Sequence, residues 1–339
     1  MALNFDPPIN LIVLLHDNHF VDRFVNSVTQ ANQPEYIVFA QHGMADWNQT
    51  IAALAARVVS EKALIVAPSL GYSKTFFSIE PLIRALDRIA AQTLEQYPEP
   101  PVRILASSLG GLLWLEVLAQ NPSWWSRIES LILLGSPIGG AHLARMIDPL
   151  GWGIGIAKDL GVNRRAIAEQ IAAVIPTLII ASDIGGGWDG TVTVDCTKFK
   201  HAHFVCLEGI THPNLRIDPA VAEEIRLFWA QTRQPHMREP DLSDEIIHRL
   251  RCVPGMTDGQ LCFWGIPSKP YDFSRSNPEI VFRDRTRLWI LSNSLQIIHV
   301  FVADADTRCL YSGFVGWSYA GELQGAIDQI KQDFADYIA

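Results

Sequence analysis

Ser108 closes an apolar run, Val102-Arg103-Ile104-Leu105-Ala106-Ser107-Ser108-Leu109-Gly110-Gly111, that passes into an apolar helical stretch beginning near Leu112. A strand ending in small-x-Ser-x-small before a helix is the pattern of a nucleophile elbow. In it a tight, strained turn lifts the serine above a sheet, and the flanking small residues, here Ala106 and Gly110, let the turn close. A hydroxyl is a nucleophile at neutral pH only beside a base, and the base needs a carboxylate to orient it. Downstream lies the glycine-rich loop Ser182-Asp183-Ile184-Gly185-Gly186-Gly187-Trp188-Asp189-Gly190-Thr191-Val192, and beyond it Glu208-Gly209-Ile210-Thr211-His212-Pro213. The order serine, acid, histidine is met by Ser108, Asp189 and His212. Asp189 is preferred because Asp-Gly-Thr-Val reads as a turn leading into an apolar stretch. Asp183, directly at the end of its strand, is the alternative acid, though it could equally cap the loop backbone; Asp195 is a weaker third.

Acyl chemistry also requires two backbone donors for the oxyanion of a tetrahedral intermediate. One is expected at the N–H of Leu109, immediately after the serine. The other is expected at Met44, in Ala40-Gln41-His42-Gly43-Met44, where a His-Gly turn follows an apolar run. His16-Asp17 follows an apolar run as well but lacks the glycine, and His16 reads as structural.

These residues need elements to hold them. Between Leu11 and Phe228 short β-branched runs alternate with longer helical stretches, the rhythm of βαβ units and a parallel sheet. The strand candidates are 11–15, 36–40, 63–67, 102–106, 130–134, 177–181 and 203–207. Most are apolar throughout, as strands covered on both faces must be. Each candidate site residue falls in a loop after a strand, the edge at which open α/β sheets place their sites. After the polar, proline-marked joint around Gln234 and Pro235 the rhythm is lost. The runs 287–291, 297–303 and 310–315 predict an antiparallel meander, and 319–338 a terminal helix. The division is therefore 1–234 and a smaller α+β module over 235–339. Phe263, Trp264 and Trp317 in the latter are expected in an aromatic core, with a partner surface as the alternative.

The sequence resembles the α/β-hydrolase superfamily, and within it serine esterases and lipases. The resemblance covers roughly residues 36–231. It rests on His42-Gly43-Met44, Ala106-Ser107-Ser108-Leu109-Gly110-Gly111, Leu134-Gly135-Ser136-Pro137-Ile138-Gly139-Gly140-Ala141, Asp189-Gly190-Thr191-Val192 and Thr211-His212. It implies a Ser-Asp-His triad, an acyl-enzyme intermediate, a small-molecule or lipid-like acyl ester substrate, no metal and no organic cofactor. Thioesterases and acyltransferases use the same residues, and a non-catalytic binding protein on this scaffold is a further possibility. The apolar stretch 141–175 occupies the place of a cap or lid, or else packs a helix onto the sheet. The partner and role of the C-terminal module are open.

Composition agrees with a folded chain of about two domains. Of 339 residues 48% are hydrophobic and 19% charged, and 36 acidic residues against 27 basic leave a formal charge of −9, which disfavours nucleic acid as a partner. No apolar run approaches the ~20 residues of a membrane-spanning helix. The N-terminal residues carry Asp6 and two prolines and lack a signal-peptide pattern, so the cytoplasm is the expected compartment. Five cysteines without a CxxC pair read as small buried apolar residues.

Overall fold

A computed structural model describes residues 10–14, 34–71, 75, 78–140, 157–185, 187–231, 241–258, 277–292, 297–306 and 309–339. Its larger sheet has seven strands, all paired in parallel: β1 (Asn10–Leu14), β2 (Tyr36–Gln41), β3 (Ala63–Pro68), β4 (Val102–Ser107), β5 (Ile128–Leu134), β6 (Thr177–Asp183) and β7 (His203–Glu208). Their order across the sheet is β1-β3-β2-β4-β5-β6-β7. β1 stands at one edge, β3 pairs between it and β2, and β4 to β7 extend the sheet from the other side of β2 in chain order.

Helices cover both faces, which explains why the central strands carry no polar alternation. β3 is buried at every position, and β2 and β4 at all but one. β7 alternates half-buried and exposed positions, as an edge strand with one wet face should. One core packs Leu82, Ile83 and Leu86 of α2 (Glu80–Gln96) against α3 (Leu109–Gln120) and Ile171 of α4 (Arg165–Ala172). The other packs Ile51 and Leu54 of α1 (Asn48–Val58) against Val221 and Ile225 of α6 (Pro219–Ala230). A one-turn helix between these, α5 (Val194–Thr197), lies in the loop joining β6 to β7. Helix α3 is apolar on nearly every side and buried over most of its length, because it lies between the sheet, α2 and α4.

Of the stretch 141–175, residues 141–156 lie outside the described residues. The remainder contains α4, whose Ala168, Ile171 and Ala172 join the core with Ile175. That part packs a helix onto the sheet.

The C-terminal module begins with α7 (Leu242–Arg251), opened by a capping box between Asp241 and Asp244. A second sheet follows, with five strands in the order β8-β12-β11-β10-β9. These are β8 (Thr257–Asp258), β9 (Ile280–Val281), β10 (Arg287–Ser292), β11 (Ile298–Ala303) and β12 (Cys309–Val315). All its pairings are antiparallel, so the meander of β10, β11 and β12 forms as the hydrophobic pattern requires. Helix α8 (Ala320–Asp333) packs Leu323, Ile327 and Ile330 with Ile246 and Leu250 of α7 against this sheet.

Two expectations fail here. Trp317 is 71% exposed rather than in the core, because it sits in a short 3-10 turn beyond the end of β12, while Tyr311 and Phe301 fill the interior. Phe263 and Trp264 lie outside the described residues. Among the cysteines, Cys196 is buried and its thiol pushed up to about 12 by that burial, but Cys206, Cys252 and Cys309 are exposed. Cys262 lies outside the described residues. Among the described residues no helix is long and apolar enough to cross a membrane.

Candidate active site

Strand β4 delivers Ser108 to the C-terminal edge of the sheet, and the turn into α3 is as sharp as the sequence pattern demands. Ser108 has φ 54° and ψ −123°, outside the regions that side-chain-bearing residues favour, a conformation worth roughly 1–3 kcal/mol of strain. Two backbone bonds hold it there. The Ser108 N–H donates to the Leu134 carbonyl at 2.8 Å, and the Gly111 N–H donates to the Ser108 carbonyl at 3.0 Å. The side chain is only half-buried, and among the described residues its Oγ has no hydrogen-bond partner.

The small residues around the elbow are small because the loop after β2 presses on it. A Cβ at Gly110 would stand 2.7 Å from the carbonyl oxygens of both Gln41 and His42. A Cβ at Gly43 would stand 2.8 Å from Ser108 Cβ and 3.1 Å from the Ser107 carbonyl oxygen. The two glycines thus let the His42-Gly43-Met44 turn reach the serine. Among the described residues neither the Met44 nor the Leu109 N–H donates to a backbone acceptor. His42 fixes the turn from within. The Leu70 N–H donates to its Nε2 at 3.0 Å, which leaves Nδ1 to carry the proton and donate to the Gly43 carbonyl at 2.9 Å. Burial holds the His42 imidazole below its ordinary pKa, and it is the neutral form that can make both bonds.

The loop after β6 carries both candidate acids, and the structure separates their surroundings. Asp183 Oδ1 accepts from the N–H groups of Gly185 at 2.7 Å and Gly187 at 3.0 Å, so this carboxylate closes its own loop. Asp195 pairs with Lys198 at 2.9 Å and accepts from the Ser312 hydroxyl at 2.9 Å. Asp189 is the carboxylate that meets His212: His212 Nδ1–H donates to Asp189 Oδ2 at 2.6 Å. Its other oxygen accepts from the N–H groups of Thr191 at 2.9 Å and Val192 at 2.7 Å. With Asp189 2% exposed and His212 8%, water competes little for this bond. A second bond, from the His212 N–H to the Asp189 carbonyl at 2.8 Å, ties the two loops through their backbones. Because the carboxylate can only accept, the Nδ1 proton is committed to it. The imidazole lies against Gly135, where a Cβ would be 3.1 Å from His212 Nδ1 and Cε1. Gly135 follows Leu134, whose carbonyl anchors the Ser108 N–H. The histidine and the serine therefore flank one short piece of backbone.

One pair in this region escaped sequence reasoning. Arg216, in the 3-10 turn that starts at His212, donates from Nη1 to Asp46 Oδ2 at 2.6 Å, and the two side chains are only 12% and 8% exposed. The bond joins the histidine loop to the loop carrying Met44. The partners are 170 residues apart in sequence, and neither stands in a motif.

A parallel sheet with helices on both faces, a serine on a strained turn between β4 and α3, and a hydrogen-bonded aspartate and histidine in the loops after β6 and β7 together make the α/β-hydrolase architecture. No protein-family model and no curated protein matches the chain. Among solved structures it is similar to the Bacillus licheniformis lipase BlEst2 in propeptide form, with 17% identity and a TM-score of 0.46 over 62% of this chain and 53% of that one. The match thus spans about half of that lipase. The mature form of the same lipase matches at 16% identity and a TM-score of 0.42, over 60% of this chain and 94% of that one. Est1E from Butyrivibrio proteoclasticus matches at 17% identity and a TM-score of 0.43, over 60% of this chain and 90% of that one.

Proposed function

We propose that the protein is a serine hydrolase of carboxylic esters, with Ser108 as nucleophile, His212 as base and Asp189 as its orienting acid. The observation that carries this reading is the buried Asp189–His212 hydrogen bond, with the imidazole packed against Gly135, next to the Leu134 carbonyl that anchors the strained turn of Ser108. In the reaction His212 Nε2 takes the Ser108 Oγ proton as the oxygen adds to the ester carbonyl. The oxyanion is held by the N–H groups of Met44 and Leu109, and by the dipole at the start of α3. Collapse of this intermediate expels the alcohol, which takes the proton back from His212. Water then enters and gives a proton to the same nitrogen as it adds to the acyl carbon, and collapse releases the carboxylic acid while His212 returns the proton to Ser108 Oγ. Thioester cleavage or transfer to an acceptor alcohol would differ only in the leaving group or in the nucleophile that replaces water.

A fluorophosphonate probe tests the assignment because it reports an activated serine whatever the natural substrate. The purified protein should be labelled, and Ser108→Ala should abolish labelling while keeping the melting profile of the native chain. Equal labelling of the variant would remove Ser108 from the mechanism. An unlabelled native protein would favour a binding role for the scaffold.

A further inference from the structure

The loop that carries Asp189 runs from the end of β6 at Asp183 to the start of β7 at His203. Its own regular structure is the single turn α5, yet its acid must stay in register with His212. Much of what holds it comes from beyond residue 235. Thr193 Oγ1 donates to the Asp258 carbonyl at 3.3 Å. Thr193 directly follows Val192, whose N–H holds Asp189 Oδ1. Two residues further on, Asp195 Oδ2 accepts from the Ser312 hydroxyl at 2.9 Å and from its backbone N–H at 3.3 Å.

A buried charge cluster fastens this junction. Arg165 in α4 donates from Nε to the Lys198 carbonyl at 2.8 Å and from Nη2 to the Asp195 carbonyl at 3.0 Å, so it grips the far end of the loop. The same Nη2 pairs with Asp258 of β8. Asp258 Oδ2 also takes Arg251 Nε at 2.9 Å, and its Oδ1 accepts from the Tyr311 hydroxyl at 3.1 Å. Arg165 and Asp258 are both nearly fully buried, and a buried charge is tolerated only with its partners in place. The cluster is also directional: each carboxylate oxygen of Asp258 has assigned donors, which sets one position of β8 against the loop.

We propose that the C-terminal module is a clamp on the acid loop, holding Asp189 against His212 through Asp258, Thr193, Ser312 and Asp195. The module is then part of the catalytic apparatus rather than a separate docking unit. Its residues touch no reacting atom and act as positioning residues. The role rests on the triad proposed above.

The test uses the full chain. Histidine-selective 15N labelling reads the Nδ1 proton of His212, whose resonance reports the bond to Asp189 without needing turnover; Asp189→Asn identifies it by its loss. Asp258→Asn should weaken or broaden that resonance and lower ester kcat by as much as about 10²-fold, the scale of a ~1 Å misplacement of a catalytic group, with little change in KM. The acid limb of the kcat/KM profile should move to lower pH, because the imidazolium has lost part of its carboxylate. Ser312→Ala should move both readouts the same way by less, and it carries the test if Asp258→Asn does not fold. Arg249→Ala breaks the ion pair to Asp333 inside the module and should change neither readout. A wild-type resonance and pH profile in folded Asp258→Asn and Ser312→Ala would overturn the clamp, even with a lowered melting temperature. A resonance that responds in a protein without esterase activity would keep the clamp and overturn the hydrolase reading.

Discussion

Replacing Gly43 by alanine isolates the turn proposed to hold the oxyanion from the rest of the site. Its backbone conformation is open to alanine, so the effect is one of space alone. The new Cβ would lie 2.8 Å from Ser108 Cβ and 3.1 Å from the Ser107 carbonyl oxygen, and neither is the end of a flexible side chain. Unbonded carbons rest at about 3.5 Å or more, so the turn and the elbow must part by roughly 0.7 Å. The elbow is pinned by the bond from the Ser108 N–H to the Leu134 carbonyl, which leaves the turn to move. Oxyanion donors act at about 2.7–3.1 Å, and a further ~0.7 Å takes the Met44 N–H beyond useful reach. Loss of one such donor lowers kcat by about 10²–10³-fold, or roughly 2.7–4 kcal/mol of barrier. Steady-state hydrolysis of p-nitrophenyl esters measures this directly. The expected result is a fall in kcat with little change in KM, in a protein that still melts cooperatively. An unchanged kcat in the folded variant would refute the reasoning, since either the turn can yield without harm or Met44 is not a donor.

Asp189→Asn should lower kcat by about 10⁴-fold, because an amide can present the wrong partner to His212 Nδ1, whereas Asp183→Asn should cost far less; steady-state kinetics on the two variants checks this, and the reverse ranking would move the acid role to Asp183. Stability should fall as the solution is acidified below about pH 6.5. Burial holds the imidazoles of His42 and His299 below the ordinary value of 6.5, so the unfolded chain binds the proton first, and the contribution present above that pH is lost as pH drops toward the folded values. His299 lies between the rings of Phe301 and Phe314, so His299→Phe should make the denaturation midpoint less dependent on pH between about 6.5 and 5; an unaltered slope would exclude His299 as a source.

Local pattern was enough for much of the larger unit. Continuous apolar strands, glycines beside a serine, and an Asp-Gly turn each follow from short-range chemistry, and the chain's alternation of runs and helical stretches requires a parallel sheet with both faces covered. The meander in the C-terminal module was legible for the same reason, in the spacing of β-branched runs. Trp317 was not: burial depends on where a turn falls after the strand, and hydrophobicity alone says nothing of that.

The linear chain by itself determined which residue types stand at the ends of the strands, and so which of them could be nucleophile, acid or base. It left Asp183 and Asp189 as rivals, because both are loop aspartates after one strand. Only the tertiary structure decided which carboxylate meets His212, since that depends on how a glycine-rich loop folds back on itself. It alone also joined Asp46 to Arg216 and Asp258 to Arg165. Sequence carries little trace of such pairs because a charge is neutralised by whatever is near in space, and burial makes the pairing obligatory only after the elements have packed.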